Sequence, residues 1–194
     1  MRILFVCTGN TCRSPMAEGL LRKLARERGV NVEVTSAGVA ASNGTPISRH
    51  AEAVLKSQGI ADNMTSKPLH GQLTEWADLI LTLTQGHKRH VIQYFPAAAD
   101  KTYALKEYVE DNETVLAEQE ELHQLIAEFE LSKVLGNTLD EVKSNRLNQL
   151  LRNIPVYDIS DPFGGSRADY DMTADEIAAA LDKLLDKLKK DNLL

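Results

Sequence analysis

Ile3-Leu4-Phe5-Val6-Cys7-Thr8-Gly9-Asn10-Thr11-Cys12-Arg13-Ser14-Pro15-Met16-Ala17-Glu18 is the stretch on which the rest of the chain is read. The apolar run Ile3–Val6 is too short for a helix, is β-branched and aromatic, and predicts a buried strand. Pro15 suits a first helical position, where a missing N–H has no partner to lose. Met16, Leu20, Leu21 and Leu24 continue at helical spacing up to a stop at Gly29. Cys7–Ser14 is therefore a tight polar loop between a strand and a helix. Such a loop aims backbone N–H groups and the positive end of a helix dipole at one point, which suits a bound oxyanion.

The loop adds a sulfur and a guanidinium to that site. A neutral thiol is a poor nucleophile, but amide donors and a nearby cation favour the thiolate. Cys7 stands where the strand ends, so the amides of residues 8 to 13 can curl over it. Arg13 closes the loop with a planar fork that matches two phosphate oxygens at once. Gly9 and Asn10 are residue types that tolerate the left-handed backbone such a curl needs. The Ser14 hydroxyl can donate to the sulfur or brace the loop. A bare C-x5-R pattern carries little information; the strand before it, the Gly-Asn within it and the Ser-Pro and helix after it make it specific. The bland alternative is a buried structural cysteine with Arg13 at the surface.

The string Cys7 to Pro15 after Ile3–Val6 resembles the phosphate loop of the low-molecular-weight protein tyrosine phosphatases. Thr35-Ser36-Ala37-Gly38, Ala77-Asp78-Leu79-Ile80-Leu81 and Asp161-Pro162-Phe163-Gly164-Gly165-Ser166 carry the likeness further, over about 1–109 and 156–194. Thr11 and the Asp161–Ser166 string make it most similar to the bacterial protein-arginine phosphatases. The resemblance implies a two-step displacement through a phosphocysteine. Cys7 attacks phosphorus, Arg13 and the loop amides hold the equatorial oxygens, and Asp161 serves first as acid and then as base. Pro162 holds that acid at a defined place in a mobile lid. Thr8, Gly9, Asn10, Thr11, Cys12 and Ser14 become substrate-binding residues, with Phe163 a flat wall beside the scissile bond. Thr11 replaces the bulky apolar residue of tyrosine-specific relatives, and Asp161 can pair with a guanidinium, so phosphoarginine is the expected substrate and phosphotyrosine the alternative. Arsenate reduction is a lesser rival, since no further cysteine follows to shuttle electrons; a binding module without turnover would have no use for Cys7 and Asp161 together.

Three departures from the family stand out. Ala40 occupies a position where close arginine-phosphatase relatives have an aromatic wall. Met64 falls where many members have a histidine bracing the loop asparagine, which leaves Asn10 to Ser36 and Ser14. A segment of roughly forty residues intervenes before Asp161.

The chain of 194 residues, with 43% hydrophobic and 26% charged residues, predicts one soluble domain over 1–194 with a sizeable core, which the resemblance makes a single phosphatase domain. A net charge of −6 argues against nucleic acid and acidic membranes as partners. No apolar stretch approaches a bilayer span, and the first residues lack the pattern of a signal peptide. Both cysteines, Cys7 and Cys12, lie in one loop, so neither staples the fold, and a reducing, cytoplasmic setting is expected. No metal or cofactor is expected. The pair could instead form a reversible disulfide in which Cys12 shields Cys7 from over-oxidation.

Further along, Val30–Thr35 predicts a second strand, Pro46–Gln58 a helix, Leu69–Trp76 a short helix, Asp78–Leu83 a third strand, Thr84–Phe95 a helix ended by Pro96, and Thr102–Leu105 a fourth strand. Alternating elements predict an α/β, three-layer fold: a four-stranded parallel sheet in order 2-1-3-4 with helices on both faces. His87 and His90 are read as solvent-exposed, and Trp76 as core. In the insertion at about 110–153, Val115, Leu116, Leu122, Leu125, Ile126 and Phe129 repeat at helical spacing. After a Gly136-Asn137 break, Leu139, Val142, Leu147, Leu150 and Leu151 resume it, predicting a helical hairpin. Its apolar stripe needs cover from its own domain, a second copy or a partner. Thr173 with Glu176 predicts a capping box opening a last amphipathic helix, Thr173–Lys190.

Overall fold

Ile3, Leu4, Phe5 and Val6 are completely buried because the strand they form, β1 (Arg2–Cys7), has a strand on each side and helices on each face. The computed structural model describes all 194 residues. β1 pairs in parallel with β2 (Glu33–Gly38), Cys7 standing opposite Gly38, and with β3 (Leu79–Thr82), which pairs with β4 (Thr102–Ala104). The order β2-β1-β3-β4 is the expected one.

Side chains alternate across a strand, and a parallel sheet is covered on both faces. Ile3, Phe5 and Cys7 accordingly enter one apolar cluster and Leu4 and Val6 another. The first cluster is closed by α1 (Arg13–Glu27), α2 (Arg49–Ser57) and α8 (Arg167–Lys190), through Met16, Leu21, Leu55, Ile177, Leu181 and Leu184. On the opposite face, α3 (Gly71–Trp76) and α4 (Gln85–Tyr94) supply Leu73, Trp76 and Val91. Trp76, expected as core, is partly buried and packs against this cluster.

Four local expectations are corrected. α1 begins at Arg13, so Pro15 is its third residue; the amides of a first turn have no partner within the helix, and proline is tolerated there too. α2 starts late, at Arg49, because Ser48 caps it through the amide of Ala51. Pro96 does end α4, but a 3-10 helix, Pro96–Lys101, follows it, and Leu105 opens a short helix, α5 (Leu105–Tyr108), rather than closing a strand. α8 opens at Arg167, nearly two turns before Thr173, which lies inside the helix. Its capping box is Ser166 with Asp169, whereas Thr173 is buried and bonds Ser160, and Glu176 accepts from Ser160 and Lys106.

The chain divides into two compact units, Met1–Val109 with Tyr157–Leu194, and Glu110–Val156. The second holds α6 (Glu113–Val134) and α7 (Glu141–Asn153). α6 ends at Gly136, whose φ of 72° permits the left-handed turn in which the Gly136 and Asn137 amides return to the carbonyls of Lys133 and Ser132. Leu122, Leu125, Leu147 and Leu150 pack together, and Arg146 grips Glu121 with both arms. Much of the rest of the expected stripe is exposed, Phe129 by 41% and Val142 by 78%, while Val115 and Leu139 are half-buried. A helix of 13 residues facing one of 22 covers only part of the longer one's apolar surface. No helix of the chain is long and apolar enough to cross a membrane.

Candidate active site

The loop between β1 and α1 is built by turning its carbonyls outward. Those of Cys7, Thr8, Thr11 and Cys12 accept from the amides of Val39, Ala40, Ser48 and Met16 at 3.0, 2.9, 2.8 and 3.2 Å. A trans peptide sets its N–H opposite its C=O. The amides of Thr8, Gly9, Cys12 and Arg13 therefore face the loop's interior, where an anion would sit. Gly38 makes this possible, since a Cβ there would come within 2.5 Å of the Thr8 carbonyl and 2.8 Å of the Asn10 nitrogen. Asn10 alone adopts the left-handed conformation, φ 53°; Gly9, expected to share that role, does not.

The sulfur of Cys7 lies at the base of this cup, 3% exposed. It accepts from the Asn10 amide at 3.3 Å and lies 2.9 Å from Ser14 Oγ. The direction of that second bond is set from outside the loop. The Lys67 amide donates to Asn10 Oδ1 at 2.8 Å, which fixes the side-chain amide. Both Asn10 Nδ2 hydrogens then go to Ser14 Oγ and Ser36 Oγ, each at 2.8 Å. Ser36 donates its own hydrogen bond to the buried Glu18 side chain, which pairs with Arg22. Ser14 thus accepts from Asn10 and turns its proton to the nearest acceptor, sulfur at 2.9 Å rather than Ala37 O at 3.5 Å. Two donors are therefore aimed at one sulfur. Asn10 does not depend on Ser36 and Ser14 alone: the Lys67 amide serves as the third brace.

Arg13 is 6% exposed. Its guanidinium reaches Asp161 Oδ2 at 2.8 Å and the Ile159 carbonyl at 3.4 Å. Asp161 stands on a stretch pinned from both sides. Ile159 N bonds Leu83 O beyond β3, Ser160 bonds Thr173 and Glu176 on α8, and Asp161 Oδ1 accepts from the Phe163 amide. The expected lid is thus a tethered turn, with Phe163 projecting 80% exposed. Cys7, Thr8, Gly9, Thr11, Cys12, Arg13, Asp161 and Phe163 line one open cleft of about 220 Å³. Asn10 and Ser14 lie behind it as braces.

Two contacts with the loop were not foreseen. His87, expected in solvent, is 8% exposed and wedged between Thr8 Oγ1 and Thr84 Oγ1, each 2.8 Å away. The signal was present in Thr84-Gln85-Gly86-His87, a cap followed three residues later by a histidine. Tyr170 places its hydroxyl 3.2 Å from Cys12 Sγ, and burial followed by that bond pushes the phenol above its usual range. Both cysteines are free thiols.

Burial and the nearby Arg13 charge lower the His87 imidazole from 6.5 to about 4. Between those values the unfolded chain binds a proton that the folded one refuses. Stability is therefore complete above pH 6.5 and falls as pH drops towards 4, by at most about 1.4 kcal/mol per pH unit. In urea unfolding from pH 7 to 4, His87→Gln is expected to flatten this decline; an unchanged slope would place the acid sensitivity elsewhere.

A buried thiol, an amide cup and an arginine at a helix N-terminus converge in one cleft on a parallel α/β sheet, an arrangement whose chemistry suits a phosphoryl group. The sequence profile of the low molecular weight phosphotyrosine protein phosphatases matches residues 2–154, and the chain belongs to that family. It is 37% identical over 191 residues to the protein-arginine-phosphatase of Bacillus subtilis (strain 168), spanning 98% of this chain and 99% of that protein. It is 36% identical to the protein-arginine-phosphatase of Geobacillus stearothermophilus, over 97% and 96%. The tyrosine phosphatase PtpB of Staphylococcus aureus is 37% identical over 114 residues, 57% of this chain and 76% of that one. Among solved structures, a mutant YwlE arginine phosphatase with a phosphorylated active-site serine superposes with a TM-score of 0.73 at 37% identity, over 98% of this chain and 97% of that one.

Proposed function

We propose that this chain is a cysteine-dependent protein-arginine phosphatase. The observation that carries the reading is that Cys7, Arg13 and Asp161 share one cleft with an inward-facing amide cup. The thiolate of Cys7 attacks phosphorus in line, forming the S–P bond as the P–N bond of phosphoarginine breaks. The Asp161 carboxyl protonates the leaving nitrogen, while Arg13 and the amides hold the equatorial oxygens. Asp161 then takes a proton from water, whose oxygen attacks phosphorus, and the S–P bond breaks to return the thiolate. No metal or cofactor is assigned a part. Phosphorylated proteins are the substrates, and a cytoplasmic setting fits two free thiols.

Arginine is favoured over tyrosine by two features. Asp161 already makes a charge-assisted bond to a guanidinium, that of Arg13. Thr11 presents little apolar area to a phenol. The two protein-arginine-phosphatases match nearly the whole chain and PtpB just over half of it. Two solved structures named as low molecular weight protein tyrosine phosphatases also cover 99% and 97% of it, so the names lend the choice little weight beside the residues. On matched peptides, phosphoarginine is expected to be hydrolysed at least about tenfold faster than phosphotyrosine, and Thr11→Ile to narrow or reverse that ratio. A native preference for phosphotyrosine would make the chain a tyrosine phosphatase with the same loop.

Cys12 is assigned a protective disulfide with Cys7 after oxidation, for which it must leave Tyr170. After peroxide and then thiol reductant, wild-type activity is expected to return and that of Cys12→Ala to stay low; equal recovery would remove the role. Residues 1–194 are taken as one phosphatase domain carrying the hairpin. Self-association or partner binding would use exposed residues such as Phe129 and Val142, and a concentration-independent monomer in sedimentation would argue against self-association.

A further inference from the structure

His87 touches the phosphate loop and has no part in the mechanism above. It lies in the first turn of α4, with Nε2 2.8 Å from Thr8 Oγ1 and Nδ1 2.8 Å from Thr84 Oγ1. A neutral imidazole has one donor nitrogen and one acceptor, and its neighbours decide which is which. Thr84 is the cap of α4, and its Oγ1 already accepts the His87 backbone N–H at 3.1 Å. The Thr84 proton then has Nδ1 as its acceptor, so the hydrogen of the ring is on Nε2. That hydrogen goes to Thr8 Oγ1. Thr8 spends a lone pair on the imidazole and keeps its own proton for the cleft it lines. With the opposite tautomer, the Thr8 proton would be consumed by the histidine and the hydroxyl would offer an anion only lone pairs.

We propose that His87 is a positioning residue for phosphoryl transfer: its Nε2–H holds the Thr8 hydroxyl as a hydrogen-bond donor to a phosphoryl oxygen seated in the Cys7 loop. The proposal rests on the reading of that loop as a phosphoryl site, and it adds a side-chain donor to the backbone amides. It also accounts for a buried histidine held in an uncharged form beside Arg13, since a doubly protonated ring would leave Thr84 with no acceptor for its proton.

Nitrogen-15 NMR of the imidazole in the unaltered protein reads the tautomer: a protonated Nε2 and bare Nδ1 are expected, and a protonated Nδ1 would overturn the proposal. Kinetics then test the route. His87→Ala and Thr8→Val are each expected to lower kcat/KM about tenfold, chiefly in kcat, and the double variant to be no worse than either alone, because both remove one donor. His87→Gln, whose amide can donate to Thr8, is expected to recover at least about a third of the loss. Losses that multiply to about a hundredfold, or a His87→Ala variant within about twofold of the native enzyme, would reduce His87 to a strut. Each variant is assayed on a phosphoarginine peptide and on an aryl phosphate. Loss of the arginine activity alone would then indict the substrate assignment and leave the cycle readable on the second substrate. Should His87→Ala fail to fold, the tautomer and the His87→Gln cycle decide.

Discussion

Cys7→Ser is expected to lower hydrolysis of a phosphoarginine peptide by about ten-thousandfold or more while leaving the affinity for inorganic phosphate within about threefold. The substitution changes one atom in a cup whose shape is fixed elsewhere. The outward carbonyls are held by Val39, Ala40, Ser48 and Met16, and Asn10 by Lys67, Ser14 and Ser36. Phosphate contacts from the amides and Arg13 should therefore survive. What is lost is the sulfur nucleophile, since a serine hydroxyl holds its proton far more tightly than a thiol and attacks phosphorus far more slowly. Steady-state rates and a phosphate titration on the same preparation check both halves. Retention of more than about a tenth of the activity would move the nucleophile away from Cys7.

Arg13→Lys is expected to cost about a thousandfold in kcat/KM, or ~4 kcal/mol of transition-state stabilisation, although the charge is kept. Arg13 is 6% exposed, and its guanidinium has two fixed neighbours, Asp161 and the Ile159 carbonyl. Its remaining donors face the cleft as a planar fork that can follow charge as it spreads over two equatorial oxygens. An ammonium group is a single point on a flexible stem. If it stays with Asp161 it abandons the phosphoryl group, and if it turns to the phosphoryl group it leaves a carboxylate facing an anion. Most of the loss should appear in kcat, with a smaller rise in KM, because the interaction strengthens as charge develops. A loss below about tenfold would mean that Arg13 contributes charge alone.

The loop was legible in the sequence because its chemistry lies in eight consecutive residues. Local rules about strands, polar turns and helix starts place Cys7, Arg13 and the amides without reference to anything distant. The sheet order was legible for a related reason: Ile3–Val6 and Leu79–Leu81 are short apolar runs without polar interruptions, as suits strands covered on both faces. What brings residues in from afar was harder to read. His87 and Tyr170 meet the loop from 79 and 158 positions away, and neither a lone histidine on a helix nor a tyrosine announces its partner.

Other misreadings have equally local causes. Thr173 with Glu176 matches a capping pattern, and so does Ser166 with Asp169; only the inward turn of Thr173 towards Ser160 separates them. Gly9 was credited with a left-handed turn that Asn10 takes, because both residue types permit it. The brace on Asn10 from the Lys67 backbone amide leaves no trace in sequence, since every residue but proline offers that group.

The most direct test of the whole account is a search for phosphoryl-Cys7. In Asp161→Ala, an aryl phosphate whose phenolate leaves with little proton assistance should still transfer its phosphoryl group to sulfur, while water attack on the intermediate slows. A burst of about one phenolate per site, with the phosphoryl mass found on the peptide containing Cys7, is the predicted result. Turnover without a burst, and with Cys7 unmodified throughout, would contradict it.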